Sequence, residues 1–294
     1  MAGVTPARDS PSNDNAVRRS AGVTPANAFA RWASAASLAI VAGACGGTLD
    51  AGRNDAPSPP IGLLDNLVGH WRLDDGAGST AAFDSSGQMN NGVVHGLDPN
   101  TAWVAGRSQG ALDTARAGWV QVAHSPSIDA IVDRVTISAW VDLQGTISAP
   151  ENFGTALSRQ IGTSEDQHYH LSLLLGRPNL FITTDAGYVM PNAPDAVPRD
   201  TWIHLAGVWD GAVVRLYVNG AEVASEPLTG RFALDTAPVI LGGNGNDASG
   251  VPTELFPGRI DELMLYARAL SADEIGRLAA GALFPGDARD AGTD

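Results

Sequence analysis

Lysine is absent from the 294 residues: all 18 basic side chains are arginine, set against 32 acidic ones for a formal net charge of -14. That balance excludes a protein that tracks nucleic-acid phosphates and one that docks on anionic lipid through a polybasic patch. The lysine bias itself reads as that of a GC-rich bacterial genome and carries no function. With a single cysteine, Cys45, no intrachain disulfide can form. The apolar run before Cys45 is about a dozen residues, too short to span a bilayer. Several reaction signatures are also missing. There is no Gly-x-Ser-x-Gly elbow, no P-loop, no dinucleotide fingerprint, no His-Glu-x-x-His helix and no EF-hand loop.

What is present begins with an export pattern. Arg18, Arg19 and Arg31 precede WASAASLAIVAGA, Trp32 to Ala44, and Cys45, Gly46 and Gly47 follow at once. Basic region, short apolar core and small-residue boundary together make a secretory signal. The run VAGAC resembles a bacterial lipobox, with Ala42 where a larger aliphatic residue is usual. It implies lipid attachment at Cys45, and an ordinary secretion signal with an incidental cysteine is the alternative. AGVTPA occurs twice, at 2–7 and 21–26, as a duplicated start or a misplaced initiation codon would give. Residues 1–44 are therefore set aside as extension and signal, and 45–62, which contains Pro57, Pro59 and Pro60, reads as a flexible tether. The expected location is extracytoplasmic, at a membrane only through the lipid.

From 63 to 282 short runs rich in Val, Ile, Leu, Thr and Trp alternate with Gly, Asn, Asp and Pro clusters. This predicts one all-β domain, an antiparallel sandwich or barrel and not βαβ units. Thirteen strands are expected: VGHWRL, GVVHG, ALDTAR, WVQVA, VTISAWVDL, GTALSRQ, YHLSLLL, NLFITTD, WIHLAGVWD, VVRLYVNG, AEVASEP, PVILGG and RIDELMLYAR. Asn219-Gly220, between two alternating runs, predicts a type I′ hairpin. One helix is expected from Ser271, where Ser271 and Glu274 form a capping box and Gly281 ends it. Residues 283–294 read as a flexible acidic tail.

Candidate ligand residues follow from alternation. Trp140 lies on the opposite face from Ile137, Ala139 and Val141, where a ring can stack on a sugar or simply pack. His168 and His170 share a strand face, either as half of a zinc site or as part of an exposed sheet surface. The long polar loop 242–258 offers Asn244, Asn246, Asp247 and Glu254 to sugar hydroxyls. In RIDELMLY, Asp261 falls with Leu263 and Leu265, and Glu262 with Met264 and Tyr266. FDSSGQMNNGVVHG, Phe83 to Gly96, is either a solvated turn or a set of oxygen ligands.

The series HWRLDDGAGSTAAFDSSGQMNNGVV, VTISAWV, WIHLAGVWDGAVVRLYVNGAEVAS and FPGRIDELMLYARALSADEI, in this order, resembles the laminin-G-like domain of the concanavalin A-like lectin and glucanase superfamily. The resemblance covers about 63–280 and implies a two-sheet jelly roll closed by a short C-terminal helix. It also places the Ile-Asp-Glu step beside the early Asp-Ser-Ser-Gly loop, which implies a structural calcium ion held by Asp84, Asn91 and Asp261. An Asp that accepts backbone N–H groups and needs no ion is the alternative. The Glu-x-Asp-x-x-Glu strand of the superfamily's glucanases is absent. The expected function is a non-catalytic, lipid-tethered module that binds a glycan or mediates adhesion. The alternatives are a glycan-active hydrolase or lyase using concave-face carboxylates such as Glu262, and an envelope scaffold for other proteins.

Overall fold

The computed structural model describes residues 62–115, 117–147, 152–160, 167–245 and 251–282. Cys45, Asn246, Asp247 and the tail at 283–294 lie outside the described residues, as does the tether up to residue 61.

In chain order the strands begin with β1 (Leu67–Trp71), β2 (Ala81–Ala82), β3 (Gly92–His95), β4 (Trp103–Ser108), β5 (Gly110–Asp113) and β6 (Trp119–Val122). A short helix α1 (Pro126–Asp129) precedes β7 (Val135–Leu143), β8 (Phe153–Gln160), β9 (Gln167–Leu174), β10 (Arg177–Thr184) and β11 (Gly187–Val189). The series closes with β12 (Trp202–Trp209), β13 (Val213–Val218), β14 (Ala221–Pro227), β15 (Val239–Leu241), β16 (Gly258–Tyr266) and the helix α2 (Ala272–Ala279). Sheet one runs β14-β13-β12-β7-β16-β5-β4 with β1 also on β16, and sheet two runs β11-β10-β9-β8-β15-β6-β3-β2. The strand pairs are antiparallel. The expected sandwich is thus the observed one. Alternation did not reveal β2, β4, β11 or α1, which are short or carry Gly and polar residues instead of an apolar face.

Between the sheets, Ile137, Ala139 and Val141 of β7 face Leu171 and Leu173 of β9 and Leu180 of β10 in a single core. Each such aliphatic side chain contributes about 1.5–3 kcal/mol on burial. Leu180 lies directly over Gly207, where a Cβ would come within 2.5 Å of the leucine methyl. A second apolar cluster lies on the other side of sheet one, where Ile275 and Leu278 of α2 cover Tyr217, Met264, Tyr266 and Leu67. The capping box forms as expected, and Gly281 takes a φ of 84° just past the helix. Asn219 and Gly220, with φ of 49° and 82°, make the β13–β14 turn.

Among several bulges, the one in β16 decides a face assignment. Glu262 has a φ of 47° within a bulge between Asp261 and Met264. The extra residue shifts the phase, so Asp261 pairs with Trp140 on the outer face of sheet one, away from Leu263 and Leu265 in the core. The shared face expected for Asp261 and the two leucines is corrected accordingly.

Candidate functional site

The two outer faces of the sandwich carry the remaining candidates. On sheet one, the part beyond α2 is filled by polar side chains, several of them paired with one another. His70 Nε2 lies 2.5 Å from Glu262 Oε2, both buried. Ser138 Oγ and His204 Nε2 are 2.9 Å apart, and Arg259 donates to Asp142. Trp140 is 8% exposed, with the Arg107 guanidinium 4.7 Å above its ring and His204 edge-on at 5.5 Å. Asp261 accepts from Ser108 N–H at 2.8 Å, and burial lifts its carboxyl to about 7. Burial alone pushes His204 down to about 4. This face is packed: neither the Trp140 ring nor the Glu262 carboxylate is open to a ligand.

The Asp84 loop is equally closed. Asp84 Oδ1 accepts from the N–H groups of His70 and Ser86, and Oδ2 from Ser86 Oγ and Asn90 N–H, all within 2.8–2.9 Å. Asn91 Oδ1 accepts from Asp84 N–H, and Asn90 Nδ2 donates to Val68 O and to Ser127 of α1. The loop therefore clasps β1 and α1, while Asp261 has an unrelated set of partners around Ser108. A calcium ion at Asp84 would have to displace four protein donors. As bonded here, Asp84, Asn91 and Asp261 do not fit the ion, and no cluster of three or more acidic, His or Cys side chains able to hold a metal occurs among the described residues.

Sheet two differs. Strand register aligns Val93, Gln121, Ile240, Ser158, His170 and Phe181 in one line across its outer face. At one end of this line four rings sit side by side. Phe153 meets His170 at 5.7 Å, His170 stacks on Phe181 at 5.1 Å, and Phe181 stacks on Tyr188 at 5.4 Å. Phe153 and Phe181 are half-buried and Tyr188 is 68% exposed. His170 is itself only 3% exposed and lies beneath Phe153 and Phe181 as packing, and burial pushes it down to about 4, so it is uncharged near neutral pH. Beside the rings Ser172 donates to Asn179 and Asn179 to Asn192, which holds β9, β10 and the segment after β11 together.

Phe153 is also a wall of a cavity of about 320 Å³, lined otherwise by Thr146, Ile147 and the segment from Pro252 to Leu255, with Pro257. Glu254 is the carboxylate among its described lining residues. Its Oε2 accepts from Asn244 Nδ2 at 2.8 Å and lies 3.4 Å from Thr155 Oγ1. Asn244 is fully buried and acts by positioning Glu254. The cavity lies at the end of the sandwich where β7 finishes and β16 begins, since Gln144 and Gly145 donate to Pro257 O.

Of the candidate residues, His170 and Asn244 lie in this region. His168, expected beside His170, belongs elsewhere: it stacks on Phe232 at 5.3 Å, lies 3.0 Å from Asp235 and is pushed down to about 4, chiefly by burial. It forms part of a network in which buried Arg159 binds Asp129 and Asp235. Phe153, Phe181 and Tyr188 were not foreseen. The available signal was phase: Phe181 alternates with Leu180 and Ile182, both in the core, and so must face outward.

A laminin G-like family model, described as the concanavalin A-like lectin/glucanases superfamily, matches residues 113–276, more than half of the chain. The chain belongs to that superfamily. No curated protein matches the sequence. Among solved structures, domain 4 of AbnA, a GH43 extracellular arabinanase from Geobacillus stearothermophilus in complex with arabinotriose, is 22% identical with a TM-score of 0.55. That match covers 73% of this chain and 98% of the other. The binding domain of Paraclostridial Mosquitocidal Protein 1 is 20% identical, with a TM-score of 0.55 over 75% of this chain and 53% of that one. The receptor binding domain of botulinum neurotoxin mosaic serotype C/D is 13% identical, with a TM-score of 0.54 over 75% and 52%. The chain spans about half the length of those two toxin domains, and the likenesses are of fold.

Proposed function

We propose that this domain is a non-catalytic carbohydrate-binding module, and that it takes its ligand on the outer face of sheet two. The observation that carries the reading is the aromatic stripe running into a cavity with one held carboxylate. Sugar rings present apolar C–H faces to aromatic surface and hydroxyl donors to a fixed acceptor, and Tyr188, Phe181 and Phe153 supply the first while Glu254 supplies the second. Glycoside hydrolysis uses a pair of carboxylates, and Glu254 is the one carboxylate among the described residues that line the cavity. Likeness of fold to a domain solved with arabinotriose supports the same class of ligand.

The test is a glycan array with the purified protein, followed by calorimetry on whatever binds. Phe153→Ala and Glu254→Gln are expected to weaken binding about tenfold each, which is ~1.4 kcal/mol. An array without a single saturable signal, or affinities that both substitutions leave intact, defeats the reading.

We further read the chain as an extracytoplasmic lipoprotein held by acyl chains on Cys45. Support comes from the basic, apolar and small-residue order of residues 18–47. No helix among the described residues is long and apolar enough to cross a membrane. Cys45→Ser should move the protein from the membrane to the soluble fraction, and retention at the membrane would count against the anchor.

A further inference from the structure

We infer that the cavity beside Phe153 takes an N-acetylated sugar unit, with the acetamido group lodged among its walls and the sugar ring against Phe153. The inference rests on the glycan-binding reading and deepens it by naming the class of sugar. The lining has an apolar part and a polar part. Ile147, Phe153, Pro252, Leu255 and Pro257 make five of its eight described residues apolar. A hydroxyl sunk among such walls loses its water and gains no partner, whereas a methyl group gains by leaving water. The volume, about 320 Å³, lies near the lower end of small-ligand sites, ~300–1,000 Å³, and is room for one substituted sugar unit.

The polar part is fixed in place before any ligand arrives. Asn244 and Thr253 exchange both main-chain hydrogen bonds at 2.8 Å, and Thr155 N–H donates to Glu254 O at 2.9 Å. Between these two pins Glu254 has a φ of 51°, a left-handed conformation that costs a non-glycine residue free energy and is found at ligand sites. Asn244 Nδ2 then holds Glu254 Oε2 at 2.8 Å. A carboxylate only accepts, so the ligand must bring a donor to it. Thr146 supplies the opposite function. Its Oγ1 accepts from Arg199 Nη2 at 3.1 Å, which turns the hydroxyl hydrogen toward donation elsewhere.

The cavity thus asks for an apolar group, a donor and an acceptor close together. An acetamido group has all three: its methyl for the walls, its N–H for Glu254 and its C=O for Thr146. Other sugar substituents meet fewer of these demands. A deoxy sugar brings the methyl alone, and an O-acetyl group brings the methyl and C=O without the donor. A uronate carries a second negative charge toward Glu254.

The experiment is calorimetry of the full chain against chitotriose and cellotriose, which differ only in an acetamido or a hydroxyl group at C2 of each unit. N-acetylgalactosamine with galactose makes a second such pair, and O-acetylated xylotriose tests the donor. In at least one pair the acetamido sugar should bind about tenfold tighter or more, because an N–H bonded to a carboxylate is a charge-assisted hydrogen bond. Glu254→Gln and Thr146→Val, the latter at an exposed side chain, should each cut that ratio to about threefold or less. Phe153→Ala, which removes the stacking ring, should weaken both members of the pair alike. If no carbohydrate binds, here or on the array, the glycan reading falls and this inference falls with it. The glycan reading stands and the inference alone is overturned by any of three results. They are equal affinity within both pairs, O-acetylated xylotriose binding as tightly as the acetamido sugars, and a ratio that Glu254→Gln and Thr146→Val both leave intact.

Discussion

The two outer faces of this sandwich are built from similar residues and end in opposite states. Both carry a buried histidine held neutral, both carry aromatic rings, and both have carboxylates within reach. On sheet one most polar side chains are paired with a protein neighbour: His70 faces Glu262, Ser138 faces His204, Arg259 faces Asp142, and the Arg107 guanidinium lies on Trp140. On sheet two the polar row of Ser172, Asn179 and Asn192 is likewise closed upon itself, but the rings beside it run out to solvent at Tyr188. Buried polar groups that pair with one another describe architecture, and large apolar surface left open describes recognition.

The sharpest way to break the comparison is to unpair sheet one. Glu262→Ala removes one member of a buried, hydrogen-bonded pair and should cost about 3 kcal/mol or more in urea unfolding while leaving glycan affinity unchanged. A glycan affinity lost while stability is retained would place the ligand on the wrong sheet.

Acid separates the faces next. His168, His170 and His204 titrate near 4 in the fold against about 6.5 unfolded. The unfolded chain thus takes up protons first, and stability falls as pH drops from about 6.5 toward 4, by ~2 kcal/mol per histidine at pH 5. Asp261, raised to about 7, works the other way: its folded form gains a proton first, so its contribution grows as pH falls below about 7. On sheet one His204 and Asp261 offset each other, whereas His170 on sheet two has no such counterweight. His170→Gln should therefore flatten the acid limb of a stability profile more than His204→Gln combined with Asp261→Asn. Equal flattening would show that the faces titrate alike.

A smaller effect is expected from Phe181→Ala, which should weaken glycan binding by ~1 kcal/mol, with Trp140→Phe as the paired substitution that leaves binding alone. The smallest concerns the Asp84 loop. Because its carboxylate is filled by four donors, excess chelator should move the melting temperature by no more than ~1 °C. A drop of several degrees would show that an ion competes successfully with those donors.

The legibility of these features followed the range of the forces behind them. The Asn219-Gly220 turn, the Ser271-Glu274 box and the long strands are local, and they could be read directly because turn conformation and capping depend on neighbours in sequence. Face assignment failed at Asp261, since a single left-handed residue, Glu262, inverts the phase and nothing in RIDELMLY announces a bulge. The site was harder still. His170 and Asn244 could be named from their strand and loop, but the stripe exists only because β8, β9, β10 and β11 place Phe153, His170, Phe181 and Tyr188 abreast. For Trp140 the sequence left stacking on a sugar and packing both open, and long-range packing of Arg107 and His204 closes its ring.

The pairing of β1 with β16 has a mechanical meaning. Leu67, near the start of the domain, lies opposite Tyr266, while the cavity opens beyond Gly258 at the other end of β16. A load applied through the chain ahead of Gly62 and resisted by a ligand in the cavity runs along the strand axis. The hydrogen bonds between β1 and β16, together with the Asp84 clasp on His70, are then strained in parallel instead of one at a time. Under tension the domain should release its ligand before it gives up its first strand.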